Sequence, residues 1–299
     1  MLTTAPVSPS RWVLAARPKT LWAAVCPVMI GSAMAAEAGA FHVPSAVACL
    51  LGALLLQIGA NFANDYSDGV KGTDAKRLGP PRAVASGLIS PQVMKGAVIA
   101  TFMAVFVPGL YIVFRGGQVY LIIGIASIVS GLAYTGGPYP LGYHGWGEVF
   151  VLAFFGPVAV GGTYYLQADA LPPEVLIASI APGLFSVAIL TVNNLRDIDG
   201  DREAGKKTLA VRYGAGFAKM EYILCILIAS IGIPAALVWF TGGHEWALAG
   251  AAALVLGLPL LRTVFTYRDP RALNRVLAGT GLMLLIFSVA FSVGWLLGA

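Results

Sequence analysis

Charged side chains are scarce in this chain: only 11% of its 299 residues are Asp, Glu, Lys or Arg. Soluble domains carry roughly 25% charged residues, because water has to solvate their surface. Hydrophobic residues make up 58% of the sequence, and the mean hydropathy is +0.80. This composition excludes an ordinary soluble globular protein and predicts a protein whose surface faces lipid.

Cysteine is also scarce. The three cysteines, Cys26, Cys49 and Cys225, lie far apart in apolar segments and form no Cys-x-x-Cys pair. Neither a disulfide nor a metal-binding role is expected for them. The polar segment that runs to Arg17 lacks the short apolar core of a cleavable signal peptide. We therefore expect the first apolar segment to remain in the mature protein.

The net charge of +5 brings a nucleic-acid partner into consideration. The Lys and Arg residues, however, lie in short segments between apolar runs and form no amphipathic surface. No nucleic-acid partner is therefore expected, and the lipid bilayer is the expected environment.

Apolar runs of the length that a bilayer requires, about 20 residues, occur nine times. They do not alternate polar and apolar residues as the strands of a membrane barrel do. We therefore predict an all-α, polytopic membrane protein with a single domain over residues 1–299 and nine transmembrane helices. The approximate bounds of the runs are 20–36, 45–64, 92–114, 118–135, 147–167, 174–195, 219–240, 246–265 and 273–298.

The basic residues set the predicted orientation. If the N-terminus is cytoplasmic, 18 of the 19 Lys and Arg residues fall in cytoplasmic segments, and Arg115 is the exception. Positive charge near helix ends is retained on the cytoplasmic side. The sequence thus predicts a protein of the cytoplasmic (inner) membrane, with its N-terminus inside and its C-terminus outside.

Acidic residues gather where the second and the sixth apolar runs end. The first segment carries Asn64, Asp65, Asp68 and Asp74, and the second carries Asn193, Asp197 and Asp201. Each segment has an Asn four positions before an Asp, which suggests two related four-helix halves followed by a ninth helix. Both segments are predicted to lie on the cytoplasmic side.

Clustered carboxylates at the end of a lipid-spanning helix repel one another and are costly to desolvate. A divalent cation resolves this repulsion, and Mg²⁺ typically binds one or two carboxylates together with substrate phosphates. Basic residues that flank the clusters can bind the remaining phosphate oxygens, although positive-inside topology explains any single one of them equally well. The candidates are Lys71, Lys76, Arg77, Arg82, Lys206 and Lys207. The pattern therefore indicates a diphosphate held by Mg²⁺.

The two segments resemble the signatures of the UbiA superfamily of intramembrane aromatic prenyltransferases. Asn64-Asp65-x-x-Asp68 matches the first signature, and Asp197-x-x-x-Asp201 matches the second. The general pattern has Asp where this chain has Gly72. The longer spacing to Asp74 resembles the 1,4-dihydroxy-2-naphthoate polyprenyltransferase branch, as do the segments 77–87, 193–197, 205–210 and 134–140.

The resemblance implies that Asn64, Asp68, Asp197 and Asp201 bind Mg²⁺ on a polyprenyl diphosphate, with Asp65 and Asp74 assisting. Asp65, Asp68, Asp197 and Asp201 are thus the candidate catalytic residues, and Asp65 is also a candidate metal ligand. The candidate substrate-binding residues are Lys71, Asp74, Arg77, Arg82, Asn193, Lys206, Lys207, Tyr134 and Arg17. Arg17 is assigned to the aromatic acceptor, although a helix-flanking arginine more often has only a topological role.

The implied reaction transfers the prenyl chain to 1,4-dihydroxy-2-naphthoate with loss of diphosphate and CO₂, which gives demethylmenaquinone. No side chain is an evident general base. Other acceptors remain as alternatives: 4-hydroxybenzoate, homogentisate, haem and chlorophyllide. A CDP-alcohol phosphotransferase is less compatible, because Asp68-Gly69 is not followed by the Ala-Arg of that family. A secondary transporter should carry its charges in mid-helix. The sequence predicts neither the prenyl length nor the oligomeric state.

Overall fold

The computed structural model describes residues 9–73 and 78–298, and their regular structure is entirely helical. Eleven α-helical segments follow one another, and some contain short π or 3₁₀ turns. They are α1 (Pro9–Ala16), α2 (Trp22–Glu37), α3 (Val43–Lys71), α4 (Pro91–Gly116), α5 (Gln118–Ala133), α6 (Gly147–Ala168), α7 (Pro173–Arg196), α8 (Ile198–Glu203), α9 (Leu209–Thr241), α10 (Glu245–Thr266) and α11 (Pro270–Leu297). The prediction of an all-α protein is confirmed.

Each of the nine predicted apolar runs coincides with a helix, but not every helix has the length of a membrane span. Within the described residues, seven helices are long and apolar enough to cross a bilayer. Segment Ser10–Thr20 and α2, bent by 50° relative to each other, make an eighth if they count as one span. Helix α5 has only 16 residues. The structure therefore supports a multi-pass membrane protein with seven or eight candidate spans, and the count of nine stays a prediction.

Helix α7 is the central helix of the bundle. In its most apolar stretch 67% of the residues are buried, against 22% in α3, α4 and α10. One hydrophobic cluster surrounds α7 and joins it to α2, α6, α9, α10 and α11, with Phe185 packed against Phe287. A second cluster joins α1, α3, α4 and the loop after α3. Since both acidic segments begin on helices of these clusters, their positions are set by core packing.

Helix α6 is interrupted by a π-helical turn at Phe154–Gly161. Gly156 has the non-helical angles φ −108° and ψ −106° there. A Cβ atom at this position would lie 2.8 Å from the carbonyl oxygen of Ser179 on α7. Glycine therefore permits the close approach of the two helices at this turn.

The two acidic segments differ in local structure. Helix α3 continues beyond the predicted run as far as Lys71, and Gly72 ends it in the left-handed conformation (φ 73°). Helix α7 ends at Arg196, and Asp197 (φ −99°, ψ 11°) separates it from the short helix α8. Asp197 and Asp201 still lie one turn apart, because the Asp201 amide donates to the Asp197 carbonyl oxygen at 2.8 Å.

Candidate active site

A cavity of about 610 Å³ lies among helices α2 to α7. Most of its lining is apolar, as is usual for pockets that bind small molecules. Its charged lining, apart from Arg17 before α2, comes from the C-terminal ends of α3 and α7 and from the segments that follow them. The polar residues of the lining include Arg17, Asn64, Asp68, Arg82, Tyr134, Tyr143, Asn193, Asn194, Asp197, Asp201 and Lys206. The two acidic segments thus face one cavity, although Asp68 and Asp201 lie 133 positions apart in the chain.

Lys206 joins the two acidic segments. Its ammonium group Nζ lies 3.2 Å from Asp201 Oδ1 and 3.9 Å from Asp68 Oδ2. Both aspartates are buried. Because one cation is within reach of a carboxylate from each segment, the two segments form a single anionic site rather than two separate ones.

Tyr143 lies between the same charged groups. Its hydroxyl donates to Asp68 Oδ1 at 2.7 Å, and its ring centroid is 5.0 Å from Lys71 Nζ and 4.8 Å from Lys206 Nζ. A cation within about 6 Å of an aromatic ring is attracted by the ring quadrupole. The loop that carries Tyr143 therefore contacts both acidic segments and covers the polar end of the cavity.

Asp197 is held by its neighbour in the sequence. The guanidinium of Arg196 donates from Nε to Asp197 Oδ1 at 2.9 Å and from Nη2 to Asp197 Oδ2 at 2.6 Å. Nη2 also donates to Asn193 Oδ1 at 2.7 Å. Only 1% of the Arg196 side chain is exposed. Such a buried bidentate pair fixes the orientation of the carboxylate as well as neutralising it.

Asp65 has a different environment from Asp68. Its two carboxylate oxygens accept hydrogen bonds from the backbone N–H groups of Ala83 and Val84, both at 2.9 Å. Asp65 is buried and lies outside the cavity lining. This geometry favours a role in anchoring the loop after α3. Direct binding of a metal ion by Asp65 stays a prediction.

The basic residues that the sequence predicts to bind substrate fall into two groups. Arg17, Arg82 and Lys206 line the cavity, whereas Lys71 and Lys207 are exposed and lie outside its lining. Lys71 donates to the Thr135 carbonyl oxygen at 2.6 Å. Arg17 has a left-handed conformation (φ 54°) and donates to the Asn61 carbonyl oxygen at 3.3 Å. Asp74, Lys76 and Arg77 lie outside the described residues.

Tyr134 follows the last residue of α5 and lines the cavity from the loop. Burial, with the carboxylates of Glu148 and Asp68 adding to the effect, raises the pKa of Tyr134. A phenol keeps its proton at neutral pH even at its ordinary pKa, so Tyr134 can act as a hydrogen-bond donor in the cavity. A Cβ atom at Gly147 would lie 2.9 Å from the Tyr134 hydroxyl, so glycine leaves room for it there.

Three residues that contact the acidic segments were not among the predicted site residues: Arg196, Tyr143 and Asn274. Arg196 was counted only among the basic residues of the cytoplasmic side. Its position next to Asp197 was the signal that could have predicted an ion pair between the two. Tyr143 lies three positions after the loop segment 134–140, and this proximity was the signal that could have found it. Asn274 lies at the start of α11, and nothing in its local sequence connects it to the site.

The oxygen donors that face the cavity determine whether it can hold Mg²⁺. Within the part of the chain that the structure describes, no group of three or more His, Cys, Asp and Glu side chains forms a metal site by itself. The carboxylates of Asp68 and Asp201 nevertheless lie close enough together to share the ammonium group of Lys206. Asn64 also lines the cavity. Hard oxygen donors in this number suit Mg²⁺, provided that substrate phosphate oxygens complete its coordination. The residues therefore fit a metal bound together with a diphosphate.

Comparison with known proteins identifies the same family along most of the chain. The sequence profile of the UbiA prenyltransferase family matches residues 24–288. The 1,4-dihydroxy-2-naphthoate octaprenyltransferase of Haemophilus influenzae is 38% identical over 301 residues, covering 96% of each protein. The enzyme of that name from Escherichia coli strain K12 is 39% identical over 293 residues, covering 95% of this chain and 94% of the relative. The one from Mycobacterium tuberculosis is 38% identical, covering 94% and 95%.

Solved structures share the fold. A UbiA homolog from Aeropyrum pernix K1 superposes with a TM-score of 0.69 at 15% identity, covering 93% of this chain and 98% of that protein. A UbiA homolog from Archaeoglobus fulgidus bound to GPP and Mg²⁺ superposes with a TM-score of 0.64 at 15% identity, covering 95% and 99%. At such low identity the likeness shows the fold alone.

Proposed function

Because the chain belongs to the UbiA prenyltransferase family, we propose that it transfers a polyprenyl chain from its diphosphate to 1,4-dihydroxy-2-naphthoate. The observation that carries this proposal is the convergence of two acidic segments on one cation at the polar end of an apolar cavity. Relatives of 38–39% identity that are named for this reaction support the choice of acceptor.

Asn64, Asp68, Asp197 and Asp201 are proposed to hold Mg²⁺ against the diphosphate. The metal, when bound, stabilises negative charge on the departing diphosphate. A UbiA homolog of the same fold from Archaeoglobus fulgidus binds GPP and Mg²⁺, which supports a metal ion and a prenyl diphosphate in this chain. The choice of ligands is our own proposal. Lys206 and Arg82 line the same end of the cavity and supply positive charge for the remaining phosphate oxygens.

In the proposed reaction the allylic C–O bond breaks and its electron pair leaves with the diphosphate. The ring carbon that bears the carboxylate forms a bond to the allylic carbon. The carboxylate then leaves as CO₂, and the electrons of the broken C–C bond restore the aromatic ring. The product is the prenylated 1,4-dihydroxynaphthalene, which is the reduced (quinol) form of demethylmenaquinone. This sequence requires no protein base, because the acceptor enters as a carboxylate. The apolar cavity wall keeps water from the allylic cation.

The membrane arrangement is part of the proposal. We infer nine spans, counting the bent pair and the short α5, in a single domain over residues 1–299 with two four-helix halves and a ninth helix. The basic residues favour a cytoplasmic N-terminus, an outside C-terminus and an active site on the cytoplasmic face of the inner membrane. The orientation rests on the charge pattern of the sequence, and the span count rests on its apolar runs.

The proposal is tested with purified protein, Mg²⁺ and one long allylic diphosphate, offered in turn with dihydroxynaphthoate, 4-hydroxybenzoate and homogentisate. We expect dihydroxynaphthoate to be prenylated at least about tenfold faster than the others, with one CO₂ released for each diphosphate. EDTA and the variants Asp68→Ala and Asp197→Ala should abolish turnover. A preference for another acceptor would refute the acceptor assignment. Absence of diphosphate release with every acceptor would refute the prenyltransferase activity.

A further inference from the structure

Arg196 is the most heavily hydrogen-bonded buried cation at the second acidic segment. An arginine side chain has five N–H donors in a rigid planar fork. Three of these donate to Asp197 and Asn193, as described above, and Nη1 donates to Asn274 Oδ1 at 2.9 Å. Because the fork is rigid, the acceptor on Nη1 helps to set the angle at which the guanidinium meets Asp197.

Asn274 connects three distant parts of the chain. It lies in the first turn of α11, 78 positions after Arg196. Its amide nitrogen donates to the Leu78 carbonyl oxygen at 3.3 Å, in the segment that leads from the first acidic segment to the loop anchored by Asp65. A single side chain thus accepts from the residue that orients the second acidic segment and donates to the backbone that follows the first.

We infer that Asn274 is a positioning residue for the metal–diphosphate site, acting through Arg196 on Asp197 and through Leu78 on the first acidic segment. This inference rests on the proposed function. Asn274 is not among the residues that line the cavity, so it acts on substrate only through these contacts. Loss of its side chain leaves a buried Arg196 N–H without its acceptor, and the guanidinium turns away from Asp197 to satisfy that donor.

A merely structural role for Asn274 predicts a different result. If the side chain only joined α11 to the bundle, its loss would reduce the amount of folded protein without changing the affinity of the folded fraction for metal. A positioning role changes the affinity for metal and diphosphate in the protein that does fold. Metal affinity separates the two roles.

The test uses Asn274→Ala and Asn274→Leu in full-length purified protein. Leu has the same branching at Cγ as Asn but no polar atom, so it fills the site beside Arg196 without an acceptor if the Ala variant does not fold. Binding of Mn²⁺ in the presence of geranyl diphosphate, without acceptor, is measured by electron paramagnetic resonance. We expect the Mn²⁺ dissociation constant to rise about tenfold, the factor expected for one lost hydrogen bond to a charged group. The KM for geranyl diphosphate should rise by a similar factor and the KM for dihydroxynaphthoate by less than about twofold.

Thr280→Val is the matched control. Thr280 is a buried residue of α11 whose hydroxyl lies 2.9 Å from that of Tyr222 on α9, so this variant also removes an inter-helix hydrogen bond of the same helix. It should leave the Mn²⁺ dissociation constant unchanged. Wild-type affinity in both Asn274 variants, or an equal loss in Thr280→Val, would overturn the inference while the proposed function stands. Absence of Mn²⁺ binding in the wild-type protein would overturn both.

Discussion

Replacing Asp65 by Asn changes the contact between α3 and the loop that follows the first acidic segment. In the native protein the backbone N–H groups of Ala83 and Val84 donate to the two carboxylate oxygens, both at 2.9 Å. An asparagine keeps one acceptor oxygen but directs its NH₂ group toward the other N–H. One charge-assisted hydrogen bond is therefore lost, and one buried N–H is left without an acceptor.

The size of the effect follows from these two changes. A hydrogen bond to a charged group contributes about 1.5–3 kcal/mol, and a stranded buried donor costs about 1–3 kcal/mol. Both figures include the loss of the same hydrogen bond, so they do not simply add. We expect the free energy of opening the loop to fall by about 3 kcal/mol, which raises the opening equilibrium constant roughly a hundredfold. The site itself should change little, because Asp65 lies outside the cavity lining.

Hydrogen–deuterium exchange at the Ala83 and Val84 amides measures the opening directly. In Asp65→Asn we expect their protection to fall roughly a hundredfold, while the Mg²⁺ concentration for half-maximal activity rises less than about twofold. Asp68→Asn is the control, because Asp68 lines the cavity and does not contact these amides. We expect this variant to raise the Mg²⁺ concentration for half-maximal activity and to leave the protection of the two amides unchanged. A large rise in the Mg²⁺ requirement of Asp65→Asn with unchanged amide protection would refute loop anchoring. Asp65 would then be the metal ligand that the sequence predicts.

Three further perturbations test other parts of the structure. Tyr143→Phe keeps the ring between the two ammonium groups but removes the 2.7 Å hydrogen bond to Asp68, so kcat/KM for prenyl diphosphate should fall at least about tenfold in a steady-state assay. Gly124→Leu places a side chain in open space on the cavity wall and should slow a long prenyl diphosphate roughly tenfold relative to geranyl diphosphate. Gly96→Leu, also in open space but outside the lining, should not change this ratio. Lys207→Cys, in a variant without the native cysteines, should react with an impermeant thiol reagent from the cytoplasmic side only, and labelling from outside would reverse the topology.

Much of the fold could be predicted from the sequence, because lipid leaves few solutions. A run of about 20 apolar residues in a bilayer has to satisfy its backbone hydrogen bonds internally, and without a barrel pattern only the helix does so. The predicted runs accordingly coincide with helices. Their exact ends were less predictable, since α3 continues to Lys71, beyond the predicted end at 64, and a break at Asp197 separates α7 from α8. Helix ends depend on capping and on tertiary contacts as well as on hydropathy.

The sequence by itself also determined which chemical groups the site contains. Carboxylates and amides at the ends of two lipid-spanning helices are costly unless they bind cations, and that cost is independent of how the helices pack. Only the tertiary structure decided what each group contacts. Asp65 and Asp68 are three positions apart, yet one accepts from a loop backbone and the other meets Tyr143 and Lys206.

The residues that contact the second acidic segment could not all be predicted from the sequence either. Arg196 pairs with its neighbour Asp197, which adjacency suggests, but it also reaches Asn274 on the last helix. Helical periodicity relates residues three or four positions apart and carries no information about contacts between distant helices. Such contacts are fixed when the helices pack side by side, so the sequence determined the chemistry of the site and packing determined its geometry.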